Sequence, residues 1–435
     1  MLVQCDMAVD GDKVRVLILG AGAAGLSAAL EFKKASAGMP GLDVTLVDQR
    51  DYHHPLPFIW HVVSGSVKPS HISFPLYALL KRSDAKGAVK FRQSQVQSID
   101  VEKNVVSTDT GKLKWDYLVV ALGSATSFFG MDDAEKNSLS FKSLRDAVNI
   151  HNRILDNYEA ALWEGDEQRQ RKLLTFVVVG GGPTGIELAA AIQDFVRKAM
   201  VRNYPSLVSQ TRVLLVEAQG TLLSGMKSKM SEIAISRLRS RGIEVLLKTR
   251  ITSVWPEGIQ TADGQTITTS TVIWVAGVKP VDVVESLPFE KAKGGRILVN
   301  QYLEVPESPR IYVLGDCAHL LQENGSVPYP PTQQVAQRQG PACARNIIRA
   351  MQGKDQHPFR YKFKGQVIYM GRNLVLAQLG DRVFNGFAAA LLRRVYYLWI
   401  FISYLGLLTE FRRKLGAVCG WIPAYFYRRN TAHLD

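Results

Sequence analysis

Cysteine is scarce and scattered. Cys5, Cys317, Cys343 and Cys419 are spread over 435 positions with no C-x-x-C pair, which excludes a disulfide framework and a thiolate metal site and suits a reducing compartment. No His, Cys, Asp or Glu cluster has ligand spacing, so no metal is expected. No Ser/His/Asp constellation stands out for nucleophilic catalysis either. Acid is also short, with 39 Asp and Glu against 53 Lys and Arg and a net charge of +14. That excess fits nucleic acid, an anionic membrane surface or an anionic cofactor, and charge alone does not choose. The C-terminal part has no apolar run long enough to span a bilayer. Its longest uncharged stretch, Val395 to Thr409, has 15 residues, about 22 Å as helix against a hydrocarbon core of roughly 30 Å. Residues 1–13 place acids before their first base and have no apolar core segment, so no secretory signal or transit peptide is expected.

What is present starts with an apolar strand, Val14 to Leu19, that runs into Gly20, Gly22, Ala24 and Gly25 and then a small-residue helix. This is the G-x-G-x-x-G turn of a dinucleotide-binding βαβ unit. Gly20 allows the tight turn, Gly22 lets backbone approach a pyrophosphate, and Gly25 lets helix and strand pack closely. The helix N-terminus offers N–H groups to phosphate. The next strand ends at Asp48, followed by Gln49, at the distance of a ribose-binding acid. The pattern returns 160 residues later. Leu173 to Val179 leads into Gly180, Gly182, Thr184 and Gly185, and the following strand ends at Glu217. Two complete units predict two nucleotides in an α/β chain with two Rossmann-like domains. Glu217 repels a 2′-phosphate and no Arg stands beside it, which favours NADH over NADPH.

Further landmarks are the strand ends Ala121-Leu122-Gly123 and Ala276-Gly277, and the late strand Arg310 to Leu314 that runs into Gly315-Asp316. Residues 143–171 read as helix, and Ser228 to Arg241 as another. Residues 89–122 and 259–267 alternate like paired strands. The block Gln49 to Gly65, rich in His, Pro and aromatics, is either a packed connection or a cover for a flavin. Pro328 to Gly340 is a loop-to-helix passage with Thr332 as N-cap. Glu187, near the start of its helix, suits a macrodipole role on charge alone. From Arg393 onward, seven bases face two acids among apolar and aromatic blocks. This suits an amphipathic helical segment in a membrane interface, with a buried helix pair or dimer contact as the alternative.

Two nucleotide sites in one chain imply a tightly held flavin and an exchangeable pyridine nucleotide, with the hydride and electron chemistry carried by the flavin. On Gly20–Gly25, Gly180–Gly185, Gly123, Gly277, Gly315-Asp316, Asp51-Tyr52-His53, Pro330-Pro331-Thr332 and the aromatic-basic tail, the chain resembles the type II NADH:quinone oxidoreductases from about Val14 to its end. The resemblance implies FAD, held tightly and without a covalent link, on 13–130 and 295–380 and NADH on 140–290. It also implies a membrane anchor on 385–435, and a monotopic respiratory enzyme on the cytoplasmic face that passes electrons to a quinone without pumping protons. By the same resemblance Glu187 faces nicotinamide and flavin and relays a proton, and Gln334 lies near the flavin ring and quinone. The family's A-Q-x-A-x-Q reads Gln333-Gln334-Val335-Ala336-Gln337-Arg338 here. Arg338 in place of glutamine either polarises a quinone carbonyl or stabilises reduced flavin, or is a plain surface arginine. Sulfide:quinone reduction on the same scaffold would need cysteines on both sides of the flavin, and only Cys317 lies in a flavin-proximal motif. A disulfide reductase would need a C-x4-C after the first turn, which is absent. A flavoprotein whose NADH binding regulates a partner stays open, as does a homodimer. No motif supports nucleic acid.

Overall fold

The computed structural model describes residues 13–80, 89–323, 325, 327–363, 365–371, 374–380, 382–386, 391 and 431–434. Most of the expected C-terminal anchor, together with Cys5 and Cys419, lies outside them. The described chain divides into two units. One takes in residues up to His53, Phe74–Ala125 and Lys279–Lys362; the other takes in His54–Ser73, Thr126–Val278 and the residues from Phe363 onward.

The first unit opens with β1 (Val14–Leu19), α1 (Ala23–Ala35) and β2 (Leu42–Asp48), followed by β3 (Lys90–Gln93) and β4 (Tyr117–Val120). The apolar, β-branched run of β1 leaves four of its six residues buried, as a strand covered on both faces requires. It pairs in parallel with β2, Val14 opposite Leu42, and with β4, Val16 opposite Tyr117. The 89–122 alternation resolves into β3, β4 and an antiparallel meander of Val96–Asp100, Val105–Thr108 and Gly111–Lys114.

The second unit repeats the plan. A helix α2 (Leu144–Trp163) precedes β5 (Thr175–Val179), α3 (Pro183–Phe195), β6 (Arg212–Val216), β7 (Ile243–Leu246) and β8 (Thr271–Trp274). The stretch read as one helix over 143–171 is two. α2 starts at a capping box in which Ser143 and Asp146 bond each other's backbone N–H, and a second helix spans Glu167–Leu173. Asp166 breaks the run by capping Gln168 and Arg169 with its carboxylate, a local bond that competes with helix continuation. Strands β8, β5, β6 and β7 lie side by side in parallel, and a second meander covers Ile251–Trp255, Gly258–Thr261 and Thr266–Thr268. Three further strands, β10 (Gln366–Tyr369), β11 (Val375–Leu379) and β12 (Arg382–Asn385), belong to the same unit.

The first sheet is completed only late in the sequence. Between β8 and β10 the chain supplies β9 (Ser308–Val313), which pairs with β4, Ile311 opposite Leu118. It then supplies α4 (Gln333–Met351). The loop-to-helix passage read over Pro328 to Gly340 leads into this helix, which continues through Gly340 and Pro341 to Met351. Gly340 sits against α1 so closely that a Cβ would overlap the Ala24 carbonyl and the Ser27 hydroxyl, which places α4 directly on α1.

The glycines of the two turns divide by mechanism. Gly20 and Gly180 adopt φ of +95° and +119°, and a Cβ on either would run into the neighbouring strand end, at Ala121 or Ala276. A Cβ on Gly25 or Gly185 would overlap the carbonyl oxygen of Gly20 or Gly180, whereas Gly22 and Gly182 have nothing within 4 Å of that position. Gly25→Ala and Gly185→Ala are therefore expected to lose at least about 2 kcal/mol of stability in urea unfolding. Gly22→Ala and Gly182→Ala should stay within about 0.5 kcal/mol of the native chain.

Candidate functional site

Each turn is tied to the acid that follows it, and the ties are the same in both units. Asp48 accepts the N–H of Ala21 at 2.6 Å on one carboxylate oxygen and the N–H of Arg50 at 2.9 Å on the other. Glu217 accepts the N–H of Gly181 at 2.6 Å and that of Gln219 at 2.8 Å. Such charge-assisted bonds are worth about 1.5–3 kcal/mol each. Behind the turns the strands are also matched, with Gly20 donating to Val47 at 2.7 Å and Gly180 to Val216 at 2.8 Å. Helices α1 and α3 begin at Gly22 and Gly182 with no side-chain cap, so their first-turn N–H groups face the space that the missing Cβ leaves open. That combination of uncapped donors, positive dipole end and open cradle fits a pyrophosphate.

The remaining residues expected at the first nucleotide all fall in the first unit. Ala24 is buried, Gln49 is exposed, and Gly123 has φ of +76° with nothing within 4 Å of its Cβ position. Gly315 and Asp316 form a short 3-10 turn after β9, where Ser124 donates to Asp316 at 2.6 Å and the Gly315 N–H donates to Gln339 Oε1 at 2.7 Å. Thr332 caps α4 by accepting from Val335 at 3.4 Å, in line with expectation. Gln334 accepts from the Tyr361 hydroxyl at 2.8 Å, and Arg338 is exposed on the helix. Gly315, Ala318, Tyr329, Pro331, Thr332 and Ala336 line a narrow surface depression.

Those expected at the second nucleotide, namely Gly180, Gly182, Thr184, Gly185, Glu187, Glu217 and Gly277, all fall in the second unit. A Cβ on Gly277 would press on the Phe129 ring at 2.6 Å. Glu187 is half-buried and accepts the Tyr369 N–H at 3.1 Å. It lies past the first turn of α3, which contains no acid, so a macrodipole role does not apply because that field fades within one turn. Among the described residues no group of three or more His, Cys, Asp and Glu could hold a metal ion.

Sequence reasoning missed His53 and Gln339 as supports of this architecture. His53 is buried with its Nδ1–H donating to the Ala21 carbonyl at 2.9 Å, which braces the first glycine turn from behind. Its signal was hidden in a block where any one histidine reads as packing. Burial pushes its pKa down to about 4 against the pull of the Ala21 carbonyl. Protons are then bound by the unfolded chain below pH 6.5 and by the folded chain only near pH 4. Stability is therefore complete above 6.5 and falls, at up to about 1.4 kcal/mol per pH unit, as pH drops from 6.5 through about 4. His53→Asn should remove that part of the slope in urea unfolding measured across this window.

Cys317 is also fully buried, its thiol donating to the Gly123 carbonyl at 3.2 Å, and burial with the nearby Asp316 charge pushes its pKa up to about 12. A thiol so held is no nucleophile at neutral pH. Native protein should resist iodoacetamide at Cys317 and at the equally buried Cys343 at pH 8, with both labelled after unfolding, as read by mass spectrometry.

Comparison with known proteins agrees with this geometry. The family model for pyridine nucleotide-disulphide oxidoreductases matches residues 14–340. The chain is 29% identical over 432 residues to the type II NADH:quinone oxidoreductase of Mycobacterium tuberculosis, covering 95% of this chain and 89% of that one. It is 28% identical over 387 residues to the type II NADH:quinone oxidoreductase of Staphylococcus aureus, covering 88% and 94%. A solved structure of NDH2 from Plasmodium falciparum in complex with NADH shares the fold with a TM-score of 0.84 at 20% identity, covering 97% of this chain and all of that one. The sulfide:quinone oxidoreductase of Aquifex aeolicus follows at 0.69 and 20%, covering 89% and 91%. With both nucleotide turns, their acids and the late Gly315-Asp316 strand inside the matched span, the chain belongs to the pyridine nucleotide-disulphide oxidoreductase family, among its type II NADH:quinone oxidoreductases.

Proposed function

We infer that this protein is a flavoenzyme that oxidises NADH and reduces a quinone, and the observation that carries the reading is the duplicated constellation of glycine turn, uncapped helix and carboxylate-tied loop, one copy in each unit. FAD, held in the first unit, supplies the two-electron chemistry between NADH and quinone. The residues fitted to hold it are the Gly20–Gly25 turn at the pyrophosphate, Asp48 at the ribose, Gly123, and Gly315-Asp316 with the N-terminal turn of α4. The open Gly22 cradle and the uncapped helix that begins there are the features of this chain that suit it. NADH is assigned to Gly180, Gly182, Thr184 and Gly185, with Glu217 at its ribose and Gly277 alongside. Because both Glu217 oxygens are already held by backbone N–H groups, the carboxylate keeps its place and repels a 2′-phosphate. Glu187 is assigned the proton relay toward the quinol, and Gln334 and Arg338 the acceptor side. Arg338, exposed on α4, is placed there by its position in the helix alone.

The buried Cys317 speaks against sulfide chemistry, which requires a thiolate that can be reached. Among the described residues no helix is long and apolar enough to cross a membrane. Attachment to the membrane surface by the basic, aromatic segment 385–435, on the cytoplasmic face and with a homodimer as the assembly, is part of the same reading. Its support is composition. Purified yellow protein is expected to oxidise NADH with soluble ubiquinone or menaquinone analogues, and to prefer NADH over NADPH by at least tenfold in kcat/KM. Glu217→Gln should narrow that preference. A chain ending at residue 386 should keep its flavin and lose binding to anionic vesicles. Absence of turnover with every quinone analogue would overturn the reading in favour of a regulatory flavoprotein.

A further inference from the structure

Helix α3 carries two carboxylates that meet one residue. Glu187 and Asp194 stand seven positions apart, two turns or about 10 Å along the axis and on the same face. Tyr369, the last residue of β10, reaches both. Its backbone N–H donates to Glu187 Oε1 at 3.1 Å, and its hydroxyl donates to Asp194 Oδ2. In the sheet of β10, β11 and β12, β10 is an edge strand, and its outward N–H groups need partners from outside the sheet. At Tyr369 that partner is the Glu187 carboxylate.

The other end of the bridge is fixed. Asp194 is fully buried, the Arg241 guanidinium donates to its Oδ1, and Lys198 Nζ lies 3.2 Å from its Oδ2. Arg241 is itself confined, since a Cβ on Gly371 (φ +110°) would overlap the guanidinium. The Tyr369 ring stacks on Trp60 at 3.9 Å and 13°, and Trp60 stacks on His61 at 3.6 Å. Ring, hydroxyl and backbone of Tyr369 are thus each engaged by a different group. A glutamate side chain has three rotatable bonds, and a reacting group left to wander by an ångström forfeits much of its rate.

We propose that Tyr369 is a positioning residue for Glu187: the buried ion cluster at Asp194 fixes the tyrosine, and the tyrosine's N–H fixes the orientation of the Glu187 carboxylate. This rests on the assignment of Glu187 as the proton relay. Tyr369→Phe keeps the ring and the backbone donor but cuts the tie to Asp194.

The test is a double-variant cycle on flavin-loaded protein with NADH and a short-chain quinone, with thermal midpoints and bound flavin measured alongside. Tyr369→Phe is expected to lower kcat three- to tenfold while KM for NADH stays within twofold. Glu187→Gln is expected to lower kcat further, and adding Tyr369→Phe to it should change kcat by less than 1.5-fold. A tyrosine that only holds the fold together would give multiplying losses, with KM and thermal midpoint moving as well, and that result overturns the proposal. So does a Tyr369→Phe variant with native kcat beside an impaired Glu187→Gln, which leaves the glutamate assignment standing. Native kcat in Glu187→Gln instead removes the assignment itself, and the positioning role with it. Should Tyr369→Phe not fold, Trp60→Phe loosens the same ring, and its kcat loss must likewise vanish in the Glu187→Gln background.

Discussion

Everything at the two nucleotide turns depends on one bond, a carboxylate on the end of the second strand that accepts an N–H from the glycine loop. A loop of glycines has few side chains to hold it and much freedom to lose. Asp48 and Glu217 supply the missing restraint, each with one oxygen on the loop and the other on its own turn two residues ahead. The bond sets the distance between the glycine turn and the end of the second strand. It also holds each carboxylate at both oxygens, so the acid keeps one orientation. His53 adds a brace to one copy, from behind the loop at Ala21.

The supports around this bond differ between the units. In the first, Gln339 and Ser124 position the Gly315-Asp316 turn through single hydrogen bonds, while Gly340 lets α4 lie on α1. The second unit holds, at the far end of α3 from its turn, a cluster of buried charge. Asp194, Arg241 and Lys198 form a cluster whose disruption leaves an unmatched ion in the interior, a loss of about 3–5 kcal/mol for a typical buried pair. A hydrogen-bonded turn adjusts at little cost, whereas a buried ion cluster holds one geometry.

How much of this was legible in the sequence follows the range of the interaction. The strands, the two turns and the acids after them are local patterns, so Gly20 to Asp48 and Gly180 to Glu217 could be read directly. The N-cap at Thr332 is local too. How far that helix runs is not local, since Gly340 and Pro341 both disfavour helix interiors by propensity. Tertiary packing against α1, where only glycine fits, outweighs that preference. The Tyr369–Asp194–Arg241 cluster joins positions far apart in the chain, and no spacing rule connects them. The one trace it left is an acid, Asp194, in a helix whose neighbours Ala189 to Phe195 are otherwise nearly all apolar. The break at Glu164–Asp166 was readable in principle, since an aspartate two and three residues before open N–H groups is a cap signal.

The interleaving of the two units bears on how the chain comes into being. The parallel sheet of the second unit, β5 to β8, is encoded in one continuous stretch. The first sheet must wait for β9, whose partner β4 is synthesised nearly 200 residues earlier. On a ribosome the second unit can close its sheet while the first still exposes the open edge of β4. Completion of the first sheet is thereby tied to its last strand to arrive. The N-terminal half of the fold is therefore settled near the end of synthesis, although its first strand is among the earliest made.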